Sequence, residues 1–239
     1  MLDDSDIERI LVVTAHPDDV DFGAGGTVAS WTDKGIEVVY CLCTDGQAGG
    51  SDRSISRADM ATLRRKEQTD AAAALGVSDL RFLGYMDGEL APTHDLRRDI
   101  SRVIREVRPQ RLLTQSPERW WERVGASHPD HRAAGDAAMD AVYPDARNPF
   151  AHMTLLDDEG LEPWTVQEVW LMASPRGEHV VDVTDHFDRK IAALHAHASQ
   201  TNGMEDLAGF VGGWLRGVAA QAGLPEGSYA ERFQVVSTG

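Results

Sequence analysis

The sequence predicts an α/β protein built in three layers, a mostly parallel sheet with helices on both faces. Three observations carry that prediction. Short apolar runs rich in β-branched residues occur at 10–15 and 36–43, as strands buried on both faces do, and 81–83 and 111–114 look like a third and a fourth strand. Helix-length stretches lie between them, at 26–34, 56–75 and 94–107. Gly35, Gly76 and Pro109 punctuate the ends of these stretches. Strand and helix in alternation wind a parallel sheet, because each return across it needs a long crossover that covers one face.

The first run, Ile10 to Ala15, opens the chain's order, and the 26–34 stretch leads to Gly35. The second run ends at Thr44-Asp45-Gly46. The alanine-rich 56–75 stretch stops at Gly76, a natural helix-ending position. Leu96, Ile100, Val103, Ile104 and Val107 recur at helical spacing before Pro109. The second half is less regular. Segment 143–165 holds Pro144, Pro149 and Pro163 and reads as a long loop, a lid or a contact between copies. Runs 166–172 and 179–183 read as further strands, and 185–200 as a helix capped by Thr184 or Asp185. Segment 203–227, rich in glycine and alanine around Trp214, has no clear periodicity and reads as a flap or an oligomer contact. No repeat or linker interrupts residues 1–239, so a single domain is expected.

Composition narrows the partners. The 239 residues are 42% hydrophobic, enough for a full core, which excludes a disordered chain. Against 23 basic residues stand 39 acidic ones, a net charge of −16. Such a surface repels phosphate backbones and anionic lipid, so neither nucleic acid nor membrane is an expected partner. No apolar run nears the roughly 18 residues that span a bilayer. The acidic start, Met1 to Asp6, lacks the plan of a signal peptide. Cys41 and Cys43, two apart on one strand, are poorly placed for a disulfide. A cytoplasmic protein is expected, and a homo-oligomer is left open.

Ligands of an open parallel sheet bind at the carboxyl ends of its strands. After the first strand comes His16-Pro17-Asp18-Asp19-Val20-Asp21, and after the fourth Ser127-His128-Pro129-Asp130-His131. His16 and Asp19 are three apart, as are His128 and His131, a spacing that sets two side chains on one side of a helix's first turn. Either segment alone reads equally well as a helix start with proline in the first turn. Packing gives no reason for two of them, each after a buried strand. Two histidines and a carboxylate make a zinc set with a fourth position open to water, and the same donors suit ferrous iron. With Asp19 as a ligand, Asp18 is aimed differently and is free to accept a proton. One later histidine completes the set. The other stabilises an oxyanion or donates to the leaving group, with Asp130 suited to orient it.

These motifs resemble those of the PIG-L/LmbE-like zinc-dependent deacetylases, which act chiefly on N-acetylglucosaminyl compounds. The resemblance extends to Gly23-Ala24-Gly25-Gly26-Thr27, Arg64-Arg65-Lys66-Glu67, Leu75-Gly76-Val77 and the stretch from Lys190 to His197-Ala198-Ser199-Gln200. It implies a Rossmann-like fold and one zinc ion per chain held by His16, Asp19 and His131. It also implies Asp18 as general base, His128 as second catalytic group, and Arg64 and Glu67 near an amino-sugar substrate. Two departures bear on substrate and transition state. Val20 and then Asp21 stand where many members have glutamate directly after the paired aspartates, and Ala126 stands where some have tyrosine. Two other readings suit the same chain: an amidase for a larger thiol or glycoside conjugate, and a non-catalytic sheet protein binding a nucleotide-type or sugar ligand.

Other features read as structural. Gly23 to Gly26 begin too far from the strand end for a dinucleotide loop and suit close helix packing or a turn. Asp45 reads as a site neighbour or turn residue, and Trp120 and Trp121 as loop anchors or sugar platforms. Arg147 suits a substrate contact or a surface ion pair equally. His197 reads as a hydrogen-bonded helix histidine; His94, His152, His179, His186 and His195 show no ligand spacing.

Overall fold

Parallel strands buried on both faces form the middle of the computed structural model, which describes residues 1–50 and 52–239. In chain order the elements are β1 (Arg9–Thr14), α1 (Asp19–Asp33), β2 (Glu37–Thr44), α2 (Arg57–Ala74), β3 (Asp79–Tyr85), α3 (His94–Val107), β4 (Arg111–Gln115) and α4 (Pro129–Asp140). Then follow α5 (Met153–Asp157), β5 (Glu168–Met172), β6 (His179–Asp182), α6 (Phe187–Ala196), α7 (Ala198–Thr201), α8 (Leu207–Gln221) and β7 (Ala230–Ser237). The sheet order is β3-β2-β1-β4-β5-β7-β6. The first five are parallel, and β7 runs antiparallel to both β5 and β6. The expected three-layer α/β sandwich is the observed one. Chain order reverses between β1 and β4, so the segments after those two strands open side by side at the switch point.

Side-chain alternation along β1 divides the core. Leu11 and Val13 pack with Leu96, Ile100 and Ala134 of α3 and α4, whereas Ile10 and Val12 pack with Val28 of α1, Ala71 of α2 and Leu75 at its end. A third cluster, Val183, Leu194, Leu207, Val211 and Leu215, seats α8. Local signals fix the ends. Ser56 and Thr93 cap α2 and α3 by accepting from Asp59 and Leu96 N–H. Gly76 takes the left-handed turn after α2 at φ +83°. Cys41 and Cys43 are buried free thiols.

Four stretches differ from expectation. Helix α1 begins at Asp19, so the glycine cluster lies inside it. A Cβ on Gly23 would stand 2.6 Å from the Met172 sulfur, and one on Gly26 2.7 Å from Val183. Tight packing therefore outweighs the poor helix propensity of glycine. The 185–200 stretch is two helices that part at His197, entered through a 3₁₀ turn at Thr184–His186 in place of the expected side-chain cap. Segment 203–227 contains α8, and β7 had no sequence-based expectation. Segment 143–165 is mostly irregular and is pinned by Arg105, which donates to the carbonyls of Asp145, Ala146, Asn148 and Ala151 at 2.9–3.2 Å.

Candidate active site

Both motifs arrive at one place. The turn from β1 into α1 carries His16, Asp18 and Asp19, and His128 caps α4, which carries Pro129 in its first turn followed by Asp130 and His131. The three imidazoles stand 5.1–5.2 Å apart, centroid to centroid. Asp19 lies between two of them: its Oδ1 is 2.9 Å from His131 Nε2 and its Oδ2 3.5 Å from His16 Nδ1. The His16 backbone N–H donates to the same carboxylate at 2.7 Å, which fixes its rotamer.

The other ring nitrogen of His16 meets two carboxylates, Asp87 and Asp130, each at 3.1 Å. Asp130 also accepts from Gly88 N–H at 2.7 Å, and Asp87 from Ala48 N–H at 3.0 Å. This corrects the expectation for Asp130, whose carboxylate orients His16 rather than His128. What holds His128 is the backbone N–H of Asp130, donating to Nδ1 at 3.1 Å in the helix-capping geometry. That bond leaves the ring proton of a neutral His128 on Nε2.

Asp18 has φ +89°, the left-handed region in which asparagine and aspartate are the more tolerant side chains. Its N–H donates to Gln68 Oε1 at 2.7 Å, and its carboxylate accepts from Arg64 Nη2 at 2.8 Å. Arg64 is otherwise spent on the carbonyls of Pro17 and Gly46. For Glu67, expected beside it at the substrate, Ser199 occupies both oxygens, at 2.7 and 2.6 Å.

The electrostatics follow from burial and pairing. Burial, aided by the Asp19 charge, pushes the Asp18 carboxyl up to about 6 against the pull of Arg64. Burial acts the same way on Asp19, but His131 and His16 outweigh it and hold this carboxyl well below the usual range. For His16 burial favours the neutral ring, yet Asp19, Asp130 and Asp87 together raise it to about 12. His128 is lowered by burial and by the two neighbouring rings.

The donor set fits a divalent cation. His16 Nδ1, the Asp19 carboxylate and His131 Nε2 face one another, and carboxylates hold the far nitrogen of His16, as they do for metal-ligating imidazoles. Asp18, Asp19, Asp87 and Asp130 also gather four acids at one spot, a surplus that a cation offsets. Ring nitrogens of His16, His128 and His131 lie within reach of a common ion, as do a ring nitrogen of His16 and carboxylate oxygens of Asp87 and Asp130.

Asp19 and His131 border a cleft of about 760 Å³. Trp120 and Ala126 form one side, Trp214 and Val218 of α8 another, and Phe22 and Met172 line it between. Arg123 lies 4.9 Å over the Trp214 ring and 5.9 Å over that of Trp120. Trp121 is largely exposed under Arg119. Gln115, at the end of β4, accepts from Ala15 N–H at 3.1 Å, and its buried Nε2 has no partner among the described residues. Arg147 instead donates to the carbonyls of Thr238 and Val166, and Asp45 pairs with Arg65. Sequence reasoning missed Asp87, Gln115 and Gln68. The first two sit just beyond or at the carboxyl ends of β3 and β4, where the switch-point rule applied to every strand would have found them.

No helix among the described residues is long and apolar enough to cross a membrane. Comparison with known proteins agrees with the geometry. A diacetylchitobiose deacetylase of Thermococcus kodakarensis is 35% identical over 97% of this chain and 84% of its own length. A probable N-acetyl-alpha-D-glucosaminyl L-malate deacetylase 2 of Bacillus cereus is 35% identical over 82% of this chain and 85% of its own. The solved N,N'-diacetylchitobiose deacetylase of Pyrococcus horikoshii, complexed with an inhibitor, superposes with a TM-score of 0.89 at 31% identity, covering 98% of this chain and 85% of that one. Residues 11–142, which span both motifs, match the PIG-L model described as GlcNAc-PI de-N-acetylase, and the chain belongs to that family.

Proposed function

We propose that this chain is a zinc-dependent hydrolase that removes the N-acetyl group from an N-acetylglucosamine-type sugar or conjugate. The observation that carries the reading is the meeting of His16, Asp19 and His131 beside Asp18 at a cleft. A zinc ion held by those three residues supplies Lewis acidity and a more acidic water.

Asp18 takes a proton from the attacking water as the new C–O bond forms at the acetyl carbon. His128, its Nδ1 engaged by Asp130 N–H, presents Nε2–H to the carbonyl oxygen as charge gathers there. When the C–N bond breaks, Asp18 passes its proton to the amine, so acetate and a free amino group leave. Asp130 and Asp87 hold His16, and Arg64 holds Asp18 and borders the substrate. Glu67 has both its oxygens occupied by Ser199 and is assigned no step.

The cleft is large for one pyranose and suits an extended conjugate. Trp214 on the cleft wall suits stacking of a second sugar ring, and a two-ring unit, chitobiose, is in the names of two of the relatives. Trp214→Ala is expected to raise KM for N,N'-diacetylchitobiose about threefold to tenfold, the range of an aromatic contact, and to leave N-acetylglucosamine itself unaffected. Michaelis kinetics on the two substrates check this.

Metal analysis and amine release test the reading as a whole. Purified protein is expected to carry about one zinc per chain and to release primary amine from N-acetylglucosamine derivatives. Dipicolinate treatment removes both, and added zinc restores the activity. A zinc-loaded chain that frees no amine from any member of an N-acetyl amino-sugar panel defeats the proposal.

A further inference from the structure

Gln68 of α2 is fully buried, yet neither holds the proposed metal nor moves a proton. Opposite chemistry binds its two ends. Oε1 accepts from the backbone N–H of Asp18 at 2.7 Å, and Nε2 donates to Asp21 Oδ2 at 2.8 Å. The same Asp21 oxygen meets His197 Nε2 at 2.8 Å, and both Asp21 and His197 are closed to solvent. An N–H only donates and a carboxylate only accepts, so the carboxamide has one orientation here. Glutamate lacks the donor, and an apolar side chain satisfies neither neighbour.

The partner at the end of this chain is the residue that most needs holding. Asp18 is at φ +89°, a conformation that costs a side-chain-bearing residue free energy and persists where its surroundings enforce it. Arg64 fixes its carboxylate and holds the Pro17 carbonyl, one end of the peptide that enters Asp18; the N–H at the other end needs a partner of its own. The Gln68 carbonyl takes the N–H whose direction defines the left-handed turn. Asp21 keeps the carboxamide from reversing, and His197, at the break between α6 and α7, keeps Asp21 in place. The acid two places beyond the paired aspartates thereby acquires a task.

We infer that His197, Asp21 and Gln68 form a buried relay of positioning residues that aims Asp18 by anchoring its backbone N–H. The inference rests on the reading of Asp18 as general base, and one arm of its test does not.

That arm is amide hydrogen exchange of metal-free protein, read at Asp18 by NMR. Gln68→Met is expected to speed exchange at that amide at least about tenfold, as loss of a buried bond does. Unchanged exchange overturns the anchor whatever the enzyme's activity. In kinetics, Q68M is expected to lower kcat about tenfold to hundredfold, the scale of a small misplacement, with KM and zinc content unchanged. The reciprocal exchange Q68E/D21N supplies the decisive variant, even if Q68M fails to fold. In that double variant the introduced carboxylate still accepts from Asp18 N–H. The introduced carboxamide, its nitrogen standing where Asp21 Oδ2 stood, donates one hydrogen to that carboxylate and the other to Nε2 of a neutral His197 ring that carries its proton on Nδ1. Each single substitution loses kcat, and the pair returns it to within about threefold of the parent, the scatter of coupled sites. A pair that restores the melting temperature and not kcat marks the network as merely structural and overturns the inference, as does a Q68M enzyme with parental kcat. Parent protein that frees no amine defeats the deacetylase reading alone, and the exchange experiment then decides the anchor.

Discussion

Asp18→Asn is expected to lower kcat by about a hundredfold to ten-thousandfold, the span of a lost general base, while zinc stays bound. Asparagine is the right probe because of where residue 18 sits. At φ +89° it tolerates the backbone that alanine would strain. Its carbonyl oxygen still accepts from Arg64, whose buried guanidinium would otherwise lose a partner now 2.8 Å away. The substitution thus removes proton affinity and little else. Zinc content by elemental analysis, with steady-state kinetics on the same preparation, separates the outcomes. Zinc lost from a folded D18N protein would mean that base and ligand had been interchanged between Asp18 and Asp19.

Lys190→Met is expected to cost about 3–5 kcal/mol, as removal of one member of a buried ion pair does. Lys190 is fully buried on α6, and its ammonium donates to Glu231 at 2.7 Å and to the carbonyls of Asp21 and Phe22 at 2.8 and 2.6 Å. Glu231 of β7 in turn accepts from Gly26 and Thr27 N–H of α1 at 3.0 and 2.7 Å. One pair therefore ties α6, α1 and β7 together under the site. Without its cation, Glu231 stays buried with an uncompensated charge. At about 2–4 °C per kcal/mol for a chain of this size, the melting temperature falls by about 6–20 °C. K190M/E231Q removes the charge but keeps an acceptor for one of the two N–H groups, which bond separate oxygens of Glu231, and so recovers only part of the loss. Urea and thermal melts of both variants read this, and a K190M protein as stable as its parent would deny the pair its role.

What sequence reading reached, and what it missed, follows from the range of the signals. The strands β1, β2 and β4 announce themselves because burial on both faces makes each a continuous apolar run. The six residues of the two motifs were legible because the site lies at strand ends, and strand ends are local. The target of the Asp130 carboxylate was not, since a carboxylate at a helix start reaches several rings and only the fold decides which. Strand β7 escaped for the same reason. Glu231 and Arg232 break its apolar run, and the lysine that makes the buried glutamate tolerable lies 41 residues earlier. The glycines of α1 argue against a helix by propensity and for one by packing, a conflict that is visible only once Met172 and Val183 face them.

The seating of α8 has a consequence for how such a protein changes over time. Its inner side rests on a small apolar cluster of its own, Val183, Leu194, Leu207, Val211 and Leu215, apart from the two that clamp the sheet. An adjoining side offers Gly213, Trp214, Gly217, Val218 and Gln221 to the cleft. Diversification confined to these five positions would re-shape the accommodation of the conjugate while the hydrolytic centre, borne on other elements, stays as it was. Choice of cargo and power of cleavage are thus separately adjustable, and a randomised library at the five sites should yield new preferences without collapsed turnover.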